Sequence, residues 1–194
     1  MLIVSAVLAL VLSSICGIYL SVADEWQRQD GRGTALASTS MACTRISDYL
    51  AQAVGVALVN RFATADALAV NLPANRAHGI YVPTWNSGKI QYQSGLWIIF
   101  YLSDSTGSYS RSGDILWAAT MNWGAFPRSV APDPVWSLYY DQPRGKIEPI
   151  SSLRFATTNG AVPTVTMTVT STYKSGQTES SIQQRKTICL QNAY

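Results

Sequence analysis

His78 is the only histidine in this chain of 194 residues, so any Ser-His-Asp or Cys-His device would have to use it. It lies in the run Arg76–Gly79 at the start of a short predicted strand, where a plain structural role is the simpler reading. One histidine and the scattered cysteines Cys16, Cys43 and Cys189 make no standard zinc set. The eleven acidic residues form no D-x-D-x-D cluster, and no glycine-rich G-x-x-x-x-G-K-[ST] loop is present. Ser108, Ser110, Arg111 and Ser112 form a polar, glycine-flanked loop without a nucleophile-activating neighbour in sequence. These patterns support no catalytic residue, no metal and no cofactor.

Six tryptophans are a richer signal. Trp97 sits inside a predicted strand and is assigned to the core. Trp85, Trp117, Trp123 and Trp136, with Tyr139 and Tyr140, lie in or beside loops. Trp85, Trp123, Trp136, Tyr139 and Tyr140 are therefore candidate partner-binding aromatics, able to stack on sugars or anchor a protein. The blander reading, preferred here, is that they pad a long loop against a sheet.

Composition narrows the classes further. Charged residues make up only 13% of the chain and the net charge is +3, without a basic run. Neither a disordered tail nor an electrostatic nucleic-acid binder fits, so no nucleic-acid partner is predicted. Three cysteines also exclude a disulfide-dense scaffold.

The element that must position everything else comes first in the chain. Residues 1–23, MLIVSAVLALVLSSICGIYLSVA, carry no charged side chain. About 20 apolar residues in a helix span the roughly 30 Å hydrocarbon core of a bilayer. A signal peptide cut after Ser21-Val22-Ala23 is disfavoured by the missing basic n-region and the overlong apolar run. A lipoprotein signal through Cys16 is disfavoured by bulky Ile15. An anchor or assembly helix remains, with Met1, Leu2, Ile3, Val4, Val7, Leu8, Leu10, Val11 and Leu12 as its apolar contacts. Arg28 and Arg32 follow the span, which by the positive-inside rule would hold that side in the cytoplasm.

Past Asp24, Glu25, Arg28 and Asp30 the pattern becomes one-sided. Leu36, Cys43, Ile46, Leu50, Ala53 and Ala57 recur at helical spacings and predict one buried stripe over residues 24–58, packed on a sheet. Gly31 and Gly33 predict a kink or melted turn, because each glycine costs about 1 kcal/mol against alanine in a helix interior.

Strand-like patterning fills residues 59–194, the predicted head. Ala67–Leu72, Gly79–Val82, Lys89–Tyr92, Leu96–Ser103 and Ile115–Ala119 are short aromatic or β-branched runs between turn residues. Trp123–Lys146 holds four prolines and reads as an irregular loop. Thr164–Tyr173 and Ser180–Leu190 read as a hairpin turning at Lys174–Gln177, apolar on one face and threonine-rich on the other. Cys189 falls opposite in parity to Ile188 and Leu190, so it should point away from Cys43 and leave the two unbonded. A bulge near Arg185 or Thr187 would reverse that.

Met1-Leu2-Ile3-Val4-Ser5-Ala6-Val7-Leu8-Ala9-Leu10 resembles the start of a type IV pilin or pseudopilin just after its G-F-[ST]-L-[IV]-E processing motif. Asp48–Val56 is similar to the D-L-R-x-A-G stretch that ends this helix in larger minor pseudopilins. Leu96–Leu102 resembles their central strand, and Ile188-Cys189-Leu190-Gln191-Asn192 a terminal V-x-L-R-N. J-type minor pseudopilins and W-type minor pilins are the nearest subfamilies.

The resemblance implies an α+β fold: a long N-terminal helix, transmembrane in its first half and amphipathic in its second, packed on an antiparallel β-sheet head. It also implies a structural minor subunit of a pilus or type II secretion filament, not an enzyme. Its partners would be other pilin-like subunits and the inner membrane, with an assembly ATPase and platform acting indirectly. The head would lie in the periplasm or in an extracellular filament. No leader, processing glycine or glutamate precedes Met1, so Met1 is expected to be an internal methionine, which would restore basic residues on the cytoplasmic side and remove the conflict posed by Arg28 and Arg32. The alternative is a membrane-anchored binding module whose loop aromatics hold a glycan or protein.

Overall fold

The computed structural model describes residues 2–73, 76–77, 80–81, 84–86, 89–91, 94–121, 144–158, 163–175 and 178–190. Its first element, α1 (Leu2–Gln52), is a single helix of 51 residues, about 76 Å long at 1.5 Å per residue. The strands that follow are β1 (Gly55–Val59), β2 (Ala67–Pro73), β3 (Arg76–Ala77), β4 (Ile80–Tyr81), β5 (Thr84–Asn86) and β6 (Lys89–Gln91). They continue with β7 (Ser94–Ser103), β8 (Ile115–Met121), β9 (Arg144–Ile147), β10 (Ser152–Thr158), β11 (Thr164–Ser175) and β12 (Thr178–Cys189). The fold is α+β, with one long N-terminal helix and two larger antiparallel sheets. One sheet has the order β1-β2-β7-β8-β9 and the other β10-β11-β12, while β3-β4 and β5-β6 are short ribbons.

The core is a three-way junction. Ala42, Cys43, Ile46, Leu50 and Ala53 from α1 meet Leu68, Val70, Ile98 and Phe100 from the larger sheet. Leu153, Phe155, Val165, Met167 and Val169 close it from the smaller one. In β11 the valines and methionine point inward and the intervening threonines outward, so period-2 patterning is intact. In β2 it is absent, because every residue from Ala67 to Pro73 is buried. There Leu68 and Val70 face the helix, while Ala67 and Ala69 join Trp97, Ile99, Tyr101 and Ala119 on the opposite face.

Several sequence expectations are corrected. The helix passes through Gly31 and Gly33 without interruption. The glycine at 31 serves a close approach: a Cβ there would sit 3.4 Å from Cβ and Cδ2 of Tyr173, near the end of the β11–β12 hairpin. Leu36 does not belong to the buried stripe and is 49% exposed. The face turned to the protein at that level carries Ala35, Ser38 and Thr39, small residues that admit a closely approaching chain. The Ser38 hydroxyl donates to the Glu148 carbonyl at 2.6 Å. Ala57 lies in β1, not in the helix. The helix stops at Gln52, and the Val54 N–H donates to the Asn71 carbonyl at 2.9 Å, entering the sheet. Val54, Gly55, Val56 and Val59 favour that switch, since β-branched residues and glycine are poor helix formers.

Strands β1 and β10 were not read from the sequence, and Arg144–Ile147 is strand where irregular loop was expected. The hairpin pairs two residues further than expected, out to Ser175↔Thr178. Its register carries no bulge at Arg185 or Thr187, so Ile188 packs on the core while Cys189 is exposed. Cys43 is buried, and both are free thiols. Burial pushes the Cys43 thiol above its ordinary value, against a smaller opposing effect of the Lys186 ammonium.

Candidate functional site

The apolar first half of α1 is the most extended exposed apolar segment among the described residues. Ile3, Val4, Val7, Leu8, Leu10, Val11 and Leu12 project from the helix into solvent, with Ile3 81% and Leu10 69% exposed. No part of this apolar window is buried by the rest of the chain, and it is long and apolar enough to cross a membrane. Leu2 opens the helix, and Met1 lies outside the described residues. The backbone of this segment is satisfied within the helix, the condition for a chain in hydrocarbon. Ser14 adds to that by donating its hydroxyl to the Leu10 carbonyl at 2.9 Å.

Polar residues mark the end of the bare segment. Arg28 pairs with Glu25 at 3.5 Å, and the Gln29 amide donates to Glu25 at 3.2 Å. Both partners of the ion pair are about half exposed, so its energetic worth is small. Trp26 is 71% exposed within this polar stretch, the type of aromatic found where a helix leaves a bilayer.

The head has a second organised centre that sequence reading missed. Arg61 lies between β1 and β2. Its guanidinium carbon stands 4.8 Å from the ring centroids of Phe62 and Tyr101, and 4.4 Å from that of Tyr109. The guanidinium donates to the Leu102 carbonyl at 2.6 Å, to the Arg111 carbonyl at 2.9 Å, and to the Tyr109 carbonyl. The Asp66 carboxylate accepts the backbone N–H groups of Arg61, Phe62 and Ala63 at 2.6, 2.9 and 3.2 Å. The signal available in sequence was Asn60-Arg61-Phe62 followed by Asp66: turn-forming polar residues around one cation.

This cation holds the polar loop that the serines had suggested. The Tyr101 hydroxyl donates to the Gly107 carbonyl at 2.7 Å, and the Ser103 hydroxyl to the Ser108 carbonyl at 2.5 Å. Ser108 and Ser110 share a hydroxyl contact at 3.1 Å, and Arg111 pairs with Asp104 at 3.1 Å. Hydrogen bonding from the Thr106 hydroxyl, with Arg111 beside it, holds the Asp104 carboxyl below its ordinary value. Burial pushes both Tyr101 and Tyr109 up to about 12, outweighing the opposite pull of Arg61. Gly113 is obligatory, because a Cβ there would lie 2.3 Å from the Ser103 carbonyl group.

The cleft beside Arg61 measures about 210 Å³, below the roughly 300 Å³ at which small-molecule sites begin. It includes Asp66, Ser112, Ser151 and Arg154, and Asp66 already caps the turn with both oxygens. Ser108 and Ser110 contact each other and the Ser108 carbonyl accepts from Ser103 of β7, so this centre is an anchor for a loop. No group of three potential metal ligands occurs among the described residues.

Cys43, Ile46, Leu50 and Ala53 are buried together in the helix–sheet junction; Leu36 and Ala57 are not part of it. Trp97 is 3% exposed, its indole N–H without a partner among the described residues. Trp117 is partly buried and donates its indole N–H to the Asp104 carbonyl at 2.9 Å. Trp85 lies on β5 opposite Ile90. Trp123, Trp136, Tyr139, Tyr140 and His78 lie outside the described residues. No protein-family model, curated protein or solved structure matches this chain.

Proposed function

We propose that this protein is a minor structural subunit of a pilin-like filament, of the pilus or type II secretion kind, which assembles through the first half of α1. The bare half of the helix is the observation that carries this reading. One unbroken helix serves two environments, with its second half built into the core of the head and its first half contributing nothing to that core. In the bacterial inner membrane the bare half lies in lipid, with Trp26 at headgroup level and the head in the periplasm. On assembly the same side chains exchange lipid for the helices of neighbouring pilin-like subunits, and the second half keeps the head fixed to that bundle. Small residues such as Ala9, Ser13 and Gly17 suit close helix–helix approach. A separate ATPase and platform power the process, so no chemistry is asked of the head.

The test is recovery of the full chain from a bacterial host. It should fractionate with inner membranes and co-purify with other pilin-like subunits after cross-linking. Stable membrane insertion without any such partner would reduce the protein to an anchored binding module. Release into the medium after cleavage near Ala23 would remove both readings.

A further inference from the structure

Among the described residues nothing covers one face of the smaller sheet, and its composition is unusual. Along β11, Thr164, Thr166, Thr168, Thr170 and Thr172 project from it, spaced about 6.8 Å apart. The register sets Arg154 of β10 and Arg185 of β12 directly beside Thr168, on either side. That row therefore carries two exposed guanidinium groups about 10 Å apart at their Cα atoms, with a hydroxyl between them. The row on one side is Ser152–Thr170–Gln183 and that on the other is Ala156–Thr166–Thr187. None of these three rows contains a carboxylate. Among the described residues of the sheet, the nearest acid on this face is Glu179, which stands opposite Lys174 near the end of the hairpin.

We propose that this face is a docking surface for an acidic polysaccharide. Charge complementarity selects an anion, because the three rows carry two arginines and no acid; Asp66, which lines the cleft that Arg154 also borders, is engaged by the backbone N–H groups of its own turn. Arg154 donates one Nη1 hydrogen bond to the Thr64 carbonyl at 2.9 Å, which orients the group and leaves other donors free. The hydroxyl and amide rows select a hydroxylated polymer, since each can donate to and accept from a sugar. They are ordered in advance: Thr166 and Thr187 share a hydroxyl contact at 2.9 Å, and the Gln183 amide donates to Thr170 at 3.5 Å. The three rows carry no aromatic side chain, so unpaired bases have nothing to stack on. Two arginines are also few for the phosphate contacts that dominate duplex binding. This surface is separate from α1 and operates whether the chain is anchored singly or assembled.

The experiment titrates the detergent-solubilised full chain with polygalacturonate, with neutral dextran and a single-stranded oligonucleotide as competing arms. Polygalacturonate should bind, and dextran and the oligonucleotide should bind at least about tenfold more weakly. Arg154→Gln and Arg185→Gln should each weaken polygalacturonate binding by roughly tenfold, as expected for loss of a charge-assisted hydrogen bond. Thr168→Val keeps the charges and should weaken it by roughly threefold. All three positions face outward, and an unchanged circular dichroism spectrum confirms that each variant is folded. Absence of polygalacturonate binding, unchanged affinity in any of the three variants, or equal binding of the oligonucleotide would overturn the proposal.

Discussion

The two halves of α1 share one continuous helix and meet opposite physical demands. In the first, apolar side chains point in every direction and none is buried by the chain; in the second, one stripe is buried and the other face is exposed. Side-chain size differs in the reverse of the expected sense. Leucine, isoleucine and valine crowd the bare half, while the upper part of the buried stripe is Ala35, Ser38, Thr39 and Ala42. Large apolar residues thus crowd the half that the rest of the chain leaves bare. At the upper part of the stripe small residues admit a close neighbour of the same chain, and further along Ile46 and Leu50 are large and fully buried in the junction. Exposed apolar surface of this extent is of the kind that marks contact with a membrane or another protein.

The largest expected effect comes from breaking the buried half. Leu50 is 0% exposed in the junction of helix and both sheets. Leu50→Asp places an unpaired charge there and should destabilise the head by about 3–5 kcal/mol, measured by urea denaturation. The matching change in the bare half should do the opposite. Val11→Asp should leave the urea midpoint of the head unchanged and block membrane insertion, at a cost of about 2.5–3.5 kcal/mol near the bilayer centre. Equal loss of head stability in both variants would erase the distinction between the two halves.

Alkaline titration sharpens the comparison without a mutation. Tyr101 and Tyr109 belong to the head and have folded values near 12, raised above the ordinary 10. Groups raised in the folded state contribute stability below the unfolded pKa and lose it as pH climbs towards the folded one. The head should therefore lose stability between about pH 10 and 12, while the helical signal of the bare half persists. Far-ultraviolet circular dichroism of the chain in detergent, set against near-ultraviolet loss from the head, separates the two.

Much of this division is legible in the sequence, and the failures have physical causes. An uncharged run of 23 residues and a Val-Thr alternation are strong periodic signals, and both appear in the structure where they were read. Leu36 was misplaced because periodicity favours the larger apolar residue, whereas chain proximity favoured Ala35 one position earlier. Ala57 satisfied helical spacing by coincidence, and the β-branched residues around it carried the better signal. Ala67–Leu72 was legible as a strand, but with both faces buried its sequence does not show which face meets the helix. The Arg61 centre gave no periodic signal, since it joins a turn to β7 and to carbonyls 41 to 50 residues away.

The smallest expected effects separate two glycines only two residues apart, at the passage from bare to buried helix. A Cβ at Gly33 would meet nothing within 4 Å, whereas one at Gly31 would touch Tyr173 at 3.4 Å. Gly33→Ala should therefore gain most of the helix-propensity difference, stabilising the chain by up to about 1 kcal/mol. Gly31→Ala gains the same propensity but brings a methyl group against the ring, so its net change should fall near zero. Gly31→Leu carries further atoms past a Cβ already in contact with Tyr173 and should displace the end of the hairpin, seen as faster amide exchange at Tyr173 and Lys174 with little change at Val165. Equal stabilisation by alanine at both positions, with no response of the hairpin to leucine, would show that the hairpin does not rest on the helix here. The structural break would then lie at the glycine pair, as the helix propensities alone had suggested.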